Sequence, residues 1–325
     1  MGDCRFRRGR AVLQEGTGLV YTVTFNPAVD YLVYLSEMKL GAVQRADREV
    51  YYFSGKGINV SKVLNALSVE NTALGFLAGF TGRAVADALT EEGIRHDFCY
   101  LPSGNTRINV KIRHGMETDL NCQGPDIPAS AIDAFYEKLK ALRAGDLLIL
   151  AGSVPKSLPK TAYADVMRQV EGRGVTVIVD ADGDLLRNAL PCRPFLIKPN
   201  REELEAILSC TLESEEAITD GARELQRRGA RNVLVSLGGD GALLLSETGE
   251  VYRMDAAQGD CVNSIGAGDS MLAGFAAGYL ASGGDLSYAL RLGTASGAAT
   301  AFSEGMATRE AIEAILKSLP DPKKR

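Results

Sequence analysis

The pattern that most restricts the fold of this chain is an alternation of short apolar runs with longer amphipathic ones. Apolar, β-branched runs stand at residues 20–25, 73–80, 147–151, 175–180, 195–197 and 232–237, and helical periodicity fills 59–67, 84–92, 129–143, 161–171, 201–208 and 215–228. Runs this continuous belong to strands buried on both faces, and helical crossovers between them impose parallel pairing. The expected fold is therefore α/β, a mostly parallel central sheet with helices on both sides. A hairpin is expected at 242–245 and 251–254, and the last third reads as helix at 267–281, 286–302 and 309–318. Four further stretches, 31–35, 49–53, 107–112 and 117–121, are short, alternating and charged. They suit a small antiparallel sheet outside the core, a lid built from insertions at about 30–53 and 98–122. Residues 1–19 carry four arginines but no uninterrupted apolar stretch, and read as a disordered extension before one domain at 20–320 and a tail at 321–325.

Charge and composition remove several function classes. Lys+Arg 36 against Asp+Glu 41 leaves −5, without a basic stripe to follow a nucleic-acid backbone, so an anionic ligand must be held by a local cluster of cations. No apolar run reaches the roughly 18 residues of a membrane-spanning helix. The six cysteines form no CxxC pair, which argues against zinc and a disulfide framework and points to a reducing cytoplasm. His96 and His114 are the two histidines, both among polar neighbours, and read as surface residues instead of members of a catalytic triad.

Chemistry concentrates in two glycine-rich turns. Asn263-Ser264-Ile265-Gly266-Ala267-Gly268-Asp269-Ser270 runs directly into an apolar helix. Glycines let backbone approach a phosphate, and N–H groups at a helix start form an anion site. Asp269 would be repelled there unless it handles a proton or a metal. Ser54-Gly55-Lys56-Gly57-Ile58-Asn59-Val60 also enters a helix, offering Lys56 as a cation and Asn59 as a polar contact. Neither turn is a Walker A loop, because Gly55-Lys56 lacks the upstream glycine, and no GxGxxG follows the first strand, where Asn26-Pro27-Ala28-Val29-Asp30 stands instead.

Together these residues resemble the PfkB, or ribokinase-like, family of carbohydrate kinases, along nearly all of the chain after residue 19. The resemblance implies a ribokinase-like three-layer α/β/α sandwich with a mostly parallel central sheet and a small β-sheet lid. It implies that Gly266, Ala267 and Gly268 form an anion hole and that Asp269 is the base that deprotonates a sugar hydroxyl. Lys198-Pro199-Asn200-Arg201-Glu202-Glu203 matches the family's Asn-x-x-Glu motif, so Asn200 and Glu203 would organise Mg²⁺ through water and Lys198 would reach the phosphates of ATP. Read without the family, the same segment is a helix capped by Asn200. Ser236, Gly238 and Gly241 match the nucleotide-binding turn, together with Gly266 and Gly268; taken alone, residues 236–241 are a β-turn.

Within the family, the segments around Asp30 and Thr106-Arg107-Ile108-Asn109-Val110-Lys111 resemble the kinases of phosphorylated sugars. Asp30, Gly55 and Asn59 would hold the sugar, with Lys56, Arg107 and Lys111 as cations for its phosphate; solvated lid charges are the other reading of Arg107 and Lys111. The implied reaction converts fructose 1-phosphate to fructose 1,6-bisphosphate at the expense of ATP. Tagatose 6-phosphate is the alternative substrate, and a non-catalytic sugar-phosphate sensor the remote alternative. Two positions depart from the family pattern: Ser54 stands where a further glycine is common, and Asn263-Ser264 where an acidic residue and Thr are frequent. Exposed lid strands need cover, which implies a homodimer through the lid.

Overall fold

The computed structural model describes residues 18–115 and 117–325, so most of the expected extension at 1–19 lies outside the described residues. In chain order the elements are β1 (Val20–Thr24), β2 (Ala28–Tyr34), β3 (Arg48–Ser54), α1 (Lys56–Ala66), β4 (Asn71–Leu77), α2 (Gly79–Glu91), β5 (Arg95–His96), β6 (Cys99–Tyr100), β7 (Arg107–Arg113) and β8 (Glu117–Leu120). There follow α3 (Ala129–Leu139), β9 (Leu147–Ala151), α4 (Ala162–Val170), β10 (Thr176–Asp180), α5 (Gly183–Ala189), β11 (Leu196–Ile197), α6 (Arg201–Leu208), α7 (Glu215–Arg227) and β12 (Asn232–Ser236). The hairpin β13 (Ala242–Leu245) and β14 (Val251–Met254) precedes α8 (Ala267–Ala281), α9 (Leu286–Ala301), α10 (Arg309–Ser318) and β15 (Lys323–Lys324).

The main sheet has the order β15-β14-β13-β12-β11-β10-β9-β1-β4-β5, with β6 also on β4. Pairing is parallel from β12 through β4 and antiparallel in the β12–β15 stretch. Strand periodicity divides the core. Leu148 and Leu150 of β9 pack on one face beside α3, α4, α6 and α7. Leu147, Ile149 and Ala151 pack on the other beside α1, α8 and α9. Each fully buried aliphatic side chain of this kind contributes roughly 1.5–3 kcal/mol, which is why β9 carries no polar residue.

The lid is a separate sheet of order β3-β2-β7-β8. It is mixed and not wholly antiparallel as expected, because β2 and β7 pair in parallel. Both strands leave the core at its carboxyl edge, β2 after Asn26-Pro27 and β7 after Thr106, and so run outward in the same direction. Thr106 pins the second root: its hydroxyl accepts the Ala78 N–H at 3.0 Å and its carbonyl accepts the Thr81 hydroxyl at 2.7 Å. Cys99–Tyr100, inside the stretch assigned to the lid, instead pairs with β4, and Lys323–Lys324, in the expected tail, adds the edge strand β15 to β14. Helix α2 begins five residues before the periodic pattern does, displacing the end expected for the second strand. The short α5 carries too few turns to show a period.

Candidate active site

The carboxyl ends of β1, β9, β10, β11 and β12 meet the amino ends of α1 and α8 along one edge of the sheet. Ligand sites of open α/β sheets form in such crevices. Neither α1 nor α8 has a side-chain cap among the described residues, and their N-cap positions are glycines, Gly55 and Gly266. In α8 the Ala267 N–H donates to the Ser264 carbonyl at 3.2 Å, which leaves the N–H groups of Gly268 and Asp269, with those of the first turn of α1, available to an anion. Close approach explains the glycines. A β-carbon on Gly57 would lie 2.6 Å from the Val23 carbonyl oxygen, and one on Gly268 would lie 3.3 Å from Lys198 Nζ. Gly266 has φ +80°, a left-handed turn that directs the chain into α8.

Asp269 sits in the first turn of α8, buried, and Asn59 from α1 donates to its Oδ2 at 2.7 Å. Burial, reinforced by the charge of Asp180, pushes its carboxyl up to about 6, against the pull of Lys56, the Asn59 hydrogen bond and Lys198. A carboxylate so poised is available as a base near neutral pH.

Beside it lies a group that sequence reading did not single out. Asp180, the last residue of β10, is wholly buried and bridges two ammoniums, Lys56 Nζ at 3.1 Å and Lys198 Nζ at 3.3 Å. Burial pushes this carboxyl up, yet Lys198 and Lys56 outweigh it and hold the group below the usual carboxylate range. In return Asp180 chiefly, with Asp269 and Glu203 adding, holds the Lys56 ammonium above the ordinary lysine range against its partial burial. The available signal was a charge closing a buried parallel strand, at the sheet end where ligands bind.

Lys56 and Arg107 share a cavity of about 180 Å³ with Thr24, Asn26, Gly152 and Ser153. Asn26 and Ser153 were likewise not singled out; Asn26 Nδ2 reaches Ser153 Oγ at 3.5 Å across this cavity. Arg107 donates to the carbonyls of Asn26 and Cys122, each at 3.2 Å, so its guanidinium spans the lid roots. Burial pushes it down from the ordinary arginine range, with Asp30 opposing. Asp30 lies two positions out along the inner lid face and accepts from Asn109 Nδ2 at 2.7 Å. Lys111 does not join this group. Four residues beyond Arg107 on β7 is about 13 Å along a strand, and its ammonium is taken by Asp119 at 3.2 Å.

Asn200 and Glu203 form a capping box on α6, with Asn200 Oδ1 accepting the Glu203 N–H at 2.7 Å and a Glu203 carboxylate oxygen accepting the Asn200 N–H at 3.0 Å. Asn200 also bridges to Ser236 at the end of β12, joining this helix start to the turn at Gly238–Asp240. Gly241 closes that turn, its carbonyl accepting the Leu237 N–H at 2.8 Å. Among the described residues no three His, Cys, Asp or Glu side chains converge on a common point. With Asn200 Oδ1 committed to the cap, the donor set fits a magnesium ion that keeps its waters and arrives with phosphate oxygens, not a caged one.

The profile of the pfkB family carbohydrate kinases matches residues 23–312. The chain is 41% identical to 1-phosphofructokinase of Bacillus subtilis (strain 168), over 92% of this chain and 97% of that one. It is 38% identical to D-tagatose-1-phosphate kinase of Bacillus licheniformis, over 89% and 94% of the two chains. Its backbone matches phosphofructokinase-2 from Escherichia coli, solved in complex with fructose-6-phosphate, at a TM-score of 0.85 and 24% identity, covering 93% and 99% of the chains.

Proposed function

The chain belongs to the pfkB family of carbohydrate kinases and is a phosphotransferase, and from that premise we propose that it phosphorylates fructose 1-phosphate at its 6-hydroxyl with ATP, giving fructose 1,6-bisphosphate and ADP. The observation that carries this reading is the buried Asp269 at the uncapped start of α8, flanked by two lysines that share Asp180. Asp269 takes the proton from the 6-hydroxyl as the oxygen attacks the γ-phosphorus. The N–H groups of Gly268 and Asp269, with Lys198, stabilise the charge on the transferred group. The ATP phosphates run from there past Lys198 toward Ser236, Gly238 and Gly241. A magnesium ion neutralises phosphate charge when bound, and Asn200 and Glu203 would hold it through water. At the other end, Lys56, Arg107 and Ser153 take the phosphate that the sugar already carries, while Asp30 and Asn59 take its hydroxyls.

The second reading is a tagatose phosphate. The relative named for that sugar carries the phosphate at C1 in its name, so tagatose 1-phosphate joins tagatose 6-phosphate as the alternative. A homodimer is supported by the outer lid face, where Tyr31, Tyr51, Val110 and Leu120 stand in one row across four strands and Tyr51 and Leu120 are exposed. A cytoplasmic setting is supported by the free state of Cys99, Cys122, Cys192, Cys210 and Cys261, and no described helix is long and apolar enough to cross a membrane. The test is ADP release on fructose 1-phosphate, tagatose 1-phosphate, tagatose 6-phosphate, fructose 6-phosphate and fructose, ranked by kcat/KM. Fructose 1-phosphate is expected first; equal turnover of unphosphorylated fructose would overturn the phosphate-recognition scheme.

A further inference from the structure

Tyr163 has no contact with the reacting groups, yet its hydroxyl needs an explanation. The side chain enters the core from α4 and is wholly buried among apolar neighbours, where phenylalanine would fill the same space without a polar atom to satisfy. Its hydroxyl donates to the Gly152 carbonyl at 2.9 Å. Gly152 has φ +97°, a conformation open to glycine but not preferred by it over others. Its N–H donates to the Asp180 carbonyl at 2.9 Å. Both polar groups of this residue are therefore tied down, one to β10 and one to Tyr163.

What Gly152 holds is the wall of the cavity. The next residue is Ser153, and a β-carbon on Gly152 would lie 3.4 Å from Lys56 Cβ, so the turn also backs the lysine stem. The Tyr163 ring packs on Phe25 at 5.8 Å between centroids, and Phe25 precedes Asn26, the opposite wall. One side chain thus sets two chain segments that face each other across about 180 Å³. Burial, with Asp180 and Asp182 nearby, pushes the phenol above its ordinary range, so it stays a hydrogen-bond donor at any working pH.

We infer that Tyr163 is a positioning residue for the sugar-phosphate subsite: by holding the Gly152 carbonyl it aims Ser153 at the phosphate of the substrate. The inference rests on the proposed reading of that cavity. It is tested with Tyr163→Phe, which keeps the ring on Phe25 and removes one hydrogen bond. KM for the phosphosugar should rise roughly 3- to 10-fold, while KM for ATP and kcat stay within about twofold. Ser153→Ala should raise KM for the phosphosugar as well, and the double variant should be no worse than about twofold beyond Ser153→Ala, because the tyrosine acts through that residue. A purely structural tyrosine would move both KM values together or add in full to Ser153→Ala, and either result overturns the inference. Should Tyr163→Phe fail to fold by circular dichroism, Ser153→Ala decides alone: an unchanged phosphosugar KM leaves the tyrosine nothing to act through. Wild-type protein inactive on every phosphosugar would instead sink the functional reading itself.

Discussion

Replacing Asp269 with asparagine is expected to stabilise the protein while removing its turnover. The carboxyl is pushed up to about 6 from an ordinary 3.8. Its ionised form is therefore disfavoured in the folded state, and at pH 8 that penalty is about 3 kcal/mol. The sign follows from the two pKa values. Below the unfolded value both states are protonated and the group has no effect; between there and about 6 the folded state binds the extra proton; above about 6 the penalty is complete. Asparagine has nearly the shape of the protonated acid and can still meet Asn59, so Asp269→Asn should recover much of this at pH 8 and little near pH 4. Urea denaturation at pH 4, 6 and 8 reads the difference directly. In ADP release the same variant should lose about 10²- to 10⁴-fold in kcat, the usual contribution of a general base, with ATP affinity retained. A stability change that does not vary with pH, or turnover close to wild type, would refute the assignment of a strained buried base.

In the wild type, kcat/KM should climb with pH through about 6 and then level, as Asp269 gives up its proton; a profile flat from pH 5 to 8 would contradict this. Asp180→Asn strands the buried Lys198 ammonium and the partly exposed one of Lys56 and should destabilise by about 3 kcal/mol, and it should move the acidic limb of that profile lower because one charge that raises Asp269 is gone; a melting temperature within a degree of wild type would dismiss the bridge. Arg107→Ala should raise KM for the phosphosugar by tenfold or more with little change for ATP, whereas Lys111→Ala, already engaged by Asp119, should leave the sugar KM within about threefold. Equal effects of the two substitutions would reverse the distinction drawn between them.

The layered α/β core was legible because burial on both faces of a parallel strand writes a continuous apolar run, as in Leu147–Ala151, and amphipathic helices write their own period. Both glycine turns were legible for a related reason: a phosphate must be met by backbone, and few residues other than glycine allow it. The lid strands were visible one by one, but not their pairing. A parallel neighbour for β2 lies some 80 residues away in β7, and nothing local in either segment records the other.

What the sequence determined by itself was thus the chemistry of each segment: strand or helix, a phosphate-facing turn, an acid at a helix start. What the tertiary structure decided was which charges meet. Lys56, Asp180 and Lys198 come from a helix start and two strand ends, and only the fold, which packs α1 over β1, β4 and β9 and seats β10 beside β11, brings them within 3.1 and 3.3 Å. The same folding commits Lys111 to Asp119 and Asn200 to a helix cap. Interaction between charges depends on distance and on the burial around them, and both are properties of the assembled molecule.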